Sequence, residues 1–311
     1  MNEAIIRQWY DIFKDNHELV EIRILDPATR KNKTRTNAIK VILDMEIDRI
    51  YNEDCLVGMK DIPDKSIDAV ICDLPYSVLN RSNPHAQWDN IIPFEPLWEQ
   101  YERVIKDNGA IVLFAQGMFT AQLMMSNPKL WRYNLIWDKI NRSTGFLNAN
   151  RCPLRIHEDI VVFYKSQPTY NPQFTFGQVN HKRGGAGNGI MKASTSGGGG
   201  SSARNRCYGN FAVTETRITN QKYPTSIIRV DKEHDGNYHH PTQKPVNLIR
   251  WLVRTYTNEG DLVLDNCAGS GTTAVACLKE KRHFIGYEIT KEYFDIAQER
   301  IKQEQMQLEL F

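Results

Sequence analysis

Leu262-Val263-Leu264-Asp265-Asn266-Cys267-Ala268-Gly269-Ser270-Gly271-Thr272-Thr273 decides how this chain is read. The three aliphatic residues form a buried strand. The glycine-rich turn leads into a helix over 274–278, and Phe284-Ile285-Gly286-Tyr287-Glu288-Ile289 is the next strand. Strand, glycine loop, helix and a second strand ending in an acid make a nucleotide-binding βαβ unit. Gly269 and Gly271 let backbone come close to a ligand. Glu288 lies 19 residues after Gly269, where a carboxylate can accept from both ribose hydroxyls. Residues 269–274 also fit G-x-G-x-x-A, so an NAD-type oxidoreductase competes on this loop alone.

Working upstream, Pro245 opens a helix over 245–256, with Leu248, Trp251, Leu252 and Tyr256 on its apolar face. The sheet pattern resumes with the segment before it, His239-His240-Pro241-Thr242-Gln243-Lys244-Pro245. Strands are predicted over 47–51, 67–72, 110–114, 133–137 and 160–164. Helices are predicted over 56–62, 96–106 and 118–125, with Asn108-Gly109 as the stop signal of the second, and a last helix over 291–305. Such alternation argues for a doubly wound α/β sheet. Residues 1–45 read as an extension of unknown role, with an amphipathic helix over 2–14 and a basic run over 30–35.

The strand ending at Cys72 runs into Asp73-Leu74-Pro75-Tyr76. The carboxyl edge of an open α/β sheet is where ligands bind. Asp73 offers acceptor oxygens there. Pro75 pushes Leu74 into an extended conformation, so the Leu74 carbonyl can serve as a second acceptor. Tyr76 adds a flat face. Two acceptors and a ring suit an exocyclic amino group on a planar base. Alone, the stretch reads better as a strand followed by a proline turn.

Composition narrows the class. The 311 residues are 41% hydrophobic and 24% charged, as in a globular protein of one domain with an insertion. No apolar run reaches the ~20 residues that cross a bilayer, and the N-terminus lacks a signal-peptide pattern. No membrane partner and a cytoplasmic location are expected. The six cysteines form no C-x-x-C pair, so no metal site is expected. Net charge is only +2, but residues 139–210 hold ten Lys/Arg against two Asp/Glu, and none of residues 161–214 is acidic. That asymmetry, with glycines, serines and aromatics interleaved, points to a polyanionic partner.

Asp73-Leu74-Pro75-Tyr76, Thr242-Gln243-Lys244-Pro245 and the loop 265–273 together resemble the S-adenosylmethionine-dependent DNA amino-methyltransferases. The base motif precedes the cofactor motif, as in the circularly permuted beta group of that family. The resemblance spans roughly residues 46–305. It implies a Rossmann-like doubly wound mixed sheet, in two catalytic-domain pieces (46–166 and 224–311) around a target-recognition insertion (167–223). Asp with Tyr in the base motif is more typical of adenine-N6 than of cytosine-N4 enzymes.

The resemblance implies site roles residue by residue. Asp73, Leu74, Pro75 and Tyr76 hold the target amine and its base. Asp265, Ala268, Gly269, Ser270, Gly271, Thr272 and Thr273 form the cofactor loop. Asp54 falls on the adenine-contacting turn, Glu288 on the ribose acid, and Thr242 and Lys244 on the segment at the methionine end. Leu74 stands where the family more often has proline, and Asn266-Cys267 where Pro-Phe is common. The implied cofactor is S-adenosylmethionine and the implied substrate is double-stranded DNA, with methyl passing directly to the amino group of a flipped base. A homodimer and a cognate restriction enzyme are left open as partners. An inactive DNA-binding module is the remaining alternative, and the intact Asp73, Tyr76 and glycine loop argue against it. In the insertion, Lys182, Arg183, Arg204 and Arg206 are the expected DNA contacts, with Arg204 and Arg206 as the base readers.

Overall fold

The computed structural model describes residues 46–77, 89–179, 219–231 and 243–308. Its strands are β1 (Arg49–Tyr51), β2 (Ile67–Asp73), β3 (Ile105–Ala115), β4 (Trp131–Asp138), β5 (His157–Phe163), β6 (Thr175–Phe176), β7 (Gln221–Lys222), β8 (Ile227–Arg229), β9 (Leu262–Asp265) and β10 (His283–Tyr287). Its helices are α1 (Cys55–Gly58), α2 (Phe94–Val104), α3 (Met118–Ser126), α4 (Val246–Tyr256), α5 (Thr272–Lys279) and α6 (Lys291–Leu308).

Eight strands form one sheet in the order β1-β10-β9-β2-β3-β5-β4-β8. All neighbours are parallel except β5, which runs against both β3 and β4. β2 shows why its sequence is a near-continuous apolar run: both of its faces are covered. Ala69 and Ile71 face a layer holding Leu248, Leu252 and Tyr256 of α4 with Ala276 of α5. Val70 and Cys72 face the other layer, with Trp98 and Tyr101 of α2. Period-two alternation assigns these side chains to opposite faces.

The chain leaves β9 through α5 toward β10 on one side, and leaves β2 through α2 toward β3 on the other. The adjacent ends of β9 and β2 are therefore the topological switch point, where open α/β sheets form their crevice. The glycine loop and the Asp73 motif arrive side by side because Val70 pairs with Leu264.

Three local expectations need correction. Asn108-Gly109 is not a helix stop: α2 ends at Val104, and β3 starts at once with Ile105. The pairing of β2 with β3 slips between Ile67 and Ala69, so the Asn-Gly pair lies at an irregularity within β3. A Cβ on Gly109 would meet the Ile105 side chain at 2.6 Å and the Asp68 carbonyl at 2.8 Å, which explains glycine there. β5 begins three residues earlier than the strand expected over 160–164, which brings Glu158 into the sheet. The sheet also resumes before His239, since β8 pairs with β4.

Both ends of the 167–223 segment lie among the described residues. β6 pairs with β7, and the Asn171 side chain donates to the carbonyls of Arg254 and Thr257 at the end of α4. Residues 1–45, Thr242, Lys182, Arg183, Arg204 and Arg206 lie outside the described residues. No helix among the described residues is long and apolar enough to cross a membrane.

Candidate active site

A cleft of about 770 Å³ opens at the switch point, within the size range of small-molecule and cofactor sites. Its walls include Asp73, Leu74, Pro75 and Tyr76 on one side, and Asp54, Asp265, Ala268, Gly269, Ser270, Thr272, Thr273 and Glu288 on the other. Of the described candidates, only Gly271 is not part of the wall. It has a structural task instead: its φ is +77°, and a Cβ there would lie 2.9 Å from the Ala297 Cβ of α6. Glycine is needed for the turn and for α6 to pack behind it.

The glycine loop is held from within. The Gly269 N–H donates to Glu288 Oε2 at 2.8 Å, and the Thr290 N–H donates to Oε1 at 2.7 Å. Burial pushes the Glu288 carboxyl above its ordinary value, against the pull of those two N–H groups. Each oxygen keeps acceptor capacity beyond its one bond, since an ionised carboxylate has about four lone-pair sites. Asp54 caps α1 by accepting from the Leu56 N–H at 2.7 Å, so it is a helix cap and a cleft residue together. Gln243 ties the segment before α4 to the loop, accepting from the Ser270 hydroxyl at 3.0 Å. Asn266, at the unusual Asn-Cys pair, is buried and accepts from the Tyr101 hydroxyl at 2.5 Å. Backbone N–H groups, glycines and buried carboxylates on this side fit a cationic cofactor carrying ribose hydroxyls.

The Asp73 side is assembled from distant segments. The Tyr76 hydroxyl donates to Asp73 Oδ1 at 2.6 Å, and the Lys244 ammonium bonds Oδ2. Lys244 also faces Glu158 Oε2 at 3.3 Å, and Lys139 bonds Glu158 Oε1 at 2.5 Å. Two carboxylates and two ammoniums thus alternate in a row whose lysines are buried and whose acids are partly so. Burial raises the Asp73 carboxyl, and Glu158 adds to the rise while Lys244 opposes it. For Lys244, burial would lower the ammonium, but Asp73 and Glu158 outweigh it and the lysine stays protonated. For Glu158, burial is likewise outweighed, by Lys244 and Lys139, and its carboxyl is lowered.

Asp89 fixes the loop after the motif, accepting from the N–H groups of Tyr76 at 2.8 Å and Ser77 at 2.9 Å. The Tyr76 ring packs on Phe119 with centroids 5.0 Å apart, which holds its plane. Sequence reasoning placed Lys244 at the methionine end of the cofactor segment, and its ammonium lies on Asp73. It missed Glu158, Lys139 and Asp89. The adjacent acids Glu158-Asp159, interrupting an otherwise basic region, were the available signal for the first.

The chain matches a family model described as DNA methylase, of the N6 and N4 amino-methyltransferases, over residues 67–299. It is 26% identical over 278 residues to the Type II methyltransferase M.HinfI of Haemophilus influenzae, covering 83% of this chain and 69% of that one. Against the Type II methyltransferase M.BglII of Bacillus subtilis it is 28% identical over 269 residues, covering 81% and 68%. Two solved structures share its fold. An M1.HpyAVI complex with S-adenosylmethionine has a TM-score of 0.52 and 22% identity, covering 81% of this chain and 98% of that one. The cytosine-N4-specific PvuII DNA methyltransferase has a TM-score of 0.53 and 14% identity, covering 81% and 85%.

Proposed function

Because the chain belongs to the DNA methylase family, a DNA amino-methyltransferase using S-adenosylmethionine, we propose that it methylates the N6 amino group of an adenine flipped out of duplex DNA. The observation that carries this reading is the Asp73–Tyr76 pair, bonded side chain to side chain on the wall of the cofactor cleft. When bound, S-adenosylmethionine supplies an electrophilic methyl group on its sulfonium. Glu288 would hold its ribose, Asp54 its adenine, and the 265–273 loop its remaining length.

The chain's own residues do the rest. Each Asp73 oxygen already accepts one bond and retains room for another. An amino N–H donated there turns the nitrogen lone pair out of the base plane. The carboxylate also stabilises the positive charge that grows on nitrogen as it is alkylated. The Leu74 carbonyl is the second acceptor, and Tyr76 offers its ring to the base. Lys244 keeps Asp73 fixed and partly neutralised until an amine arrives. The proton lost from the methylated nitrogen passes to Asp73 late, or to water.

The insertion 167–223 is assigned target reading, supported by its lack of acids as far as Thr214. The test of the chemistry is to incubate the protein with duplex DNA and labelled S-adenosylmethionine, then digest and identify the base by mass spectrometry. N6-methyladenine is expected. N4-methylcytosine in its place would overturn the adenine assignment while leaving the site intact. On the recognised duplex, Arg204→Ala or Arg206→Ala should relax one position at a cost of about 1–3 kcal/mol. Unchanged site selection in both variants would move target reading elsewhere.

A further inference from the structure

The segment joining β4 to β5 rises from the same sheet edge as the cleft. Arg142, Ser143 and Thr144 in its first half line the cleft wall. It is a built excursion. Thr144 and Arg155 exchange backbone bonds at 2.8 and 3.2 Å, closing the neck. Gly145, at φ +85°, then turns the chain into a single 3-10 turn, Phe146–Asn148, braced by the Asn148 N–H to the Gly145 carbonyl at 2.9 Å.

That turn presents two large apolar side chains to solvent: Phe146 is 75% exposed and Leu147 85%. Among the described residues no packing requires them there. Phe146 is two residues beyond the cleft residue Thr144, so its Cα lies within about 8 Å of that wall. The flanks are one-signed. Residues 140–156 contain Arg142, Arg151 and Arg155 and no acid. An apolar tip on a basic stem suits a surface that is anionic outside and apolar within, which describes duplex DNA once its phosphates are reached.

We propose that Phe146 and Leu147 form a wedge that enters the duplex beside the target base pair and fills the gap left when the base turns into the cleft. The inference rests on the base-flipping reading above. Apolar wedges stabilise unstacked steps by replacing lost base stacking with side-chain contact. The arginines hold phosphates on either side of the opened pair. The rigid neck matters because a loose tip would lose ordering entropy on insertion.

The experiment uses the whole chain. The recognised sequence is first found by sequencing DNA methylated by the parent protein, which settles separately whether and on which base it acts. Phe146→Ser with Leu147→Ser is then compared with the parent on two duplexes. One is fully paired, and the other has an abasic site opposite the target, where no pair need be broken. Turnover on the paired duplex should fall by about tenfold or more, with the abasic-opposed duplex methylated within about twofold of the parent. Phe146→Trp, with Leu147 kept, should retain activity on both. An equal effect on the two duplexes, whether no loss or the same loss, would overturn the wedge and leave the chemistry of the cleft standing.

Discussion

In the proposed function the cleft has a cofactor side at the end of β9 and a base side at the end of β2, and the two are built differently. The cofactor side comes mostly from one run of chain, residues 265–273, braced from a distance by Glu288, Gln243 and Arg300. The tie to Glu288 is made by a backbone N–H, that of Gly269. The base side has one short motif, and its carboxylate sits at the end of a charged row drawn from three other places: Lys244 before α4 bonds it, Glu158 on β5 faces Lys244, and Lys139 after β4 bonds Glu158. A site made of backbone tolerates little change in conformation. One made of a charged row tolerates little change in charge.

Damage to one side should leave the other working. Asp73→Ala should lower turnover by about 10²–10³-fold or more, because the developing charge on nitrogen loses its acceptor. Calorimetric affinity for S-adenosylmethionine should stay near that of the parent. Glu288→Ala should do the reverse, weakening cofactor binding by about 1.5–3 kcal/mol for the lost charged acceptor. If Asp73→Ala abolished cofactor binding as well, the two sides would not be separable.

Glu158→Gln sharpens the base side. The substitution leaves Lys244 with Asp73 as its remaining carboxylate partner in the row, and turnover should fall by about tenfold. That is less than for Asp73→Ala, since the amide oxygen can still accept from Lys139 and Asp73 itself is kept. The informative readout is the pH profile. Asp73 is faced by Tyr76 and Lys244, with Glu158, Cys72 and Asp265 beyond. Burial raises its carboxyl, and the like charge of Glu158 raises it further. Removing that charge lowers it. The proposed mechanism uses ionised Asp73, so the acid limb of kcat should move to lower pH. A limb that stayed in place would mean Glu158 acts only through packing.

These differences explain what the sequence disclosed. The β9 unit was legible because strand, turn and helix are local, and Gly269, Gly271 and Glu288 stand at fixed spacing. Asp73-Leu74-Pro75-Tyr76 was legible as a motif, but not its partners. Lys244 and Glu158 are 86 residues apart in sequence, and only sheet order brings them together. Nothing local marks β5 as antiparallel, and the inner position of Glu158 follows from its three-residue extension beyond the predicted strand. Asn108-Gly109 misled because the pair ends helices and also fills irregular strand positions.

The smallest expected effect concerns Asp265, where the cofactor loop leaves β9. Burial holds its carboxyl up at about 6, although the Thr273 hydroxyl and the Cys267 N–H favour the ionised form. The sign follows from linkage. A group whose folded value is raised contributes stability below its unfolded value, near 3.8, and loses it as pH rises through about 6. Above that range the parent carries a buried charge at a cost on the order of 2–3 kcal/mol. Asp265→Asn removes the charge and keeps an oxygen for the Cys267 N–H, while the Thr273 hydroxyl can turn to accept from the new amide. Imperfect repacking offsets part of the gain, leaving about 1 kcal/mol, or roughly 2–4 °C in Tm. The Tm of Asp265→Asn relative to the parent should therefore climb between pH 4 and pH 7 and then level off, measured without cofactor. A difference that did not vary with pH would mean the loop holds a carboxylate of ordinary acidity. The cofactor side would then carry a fixed charge, as the base side does.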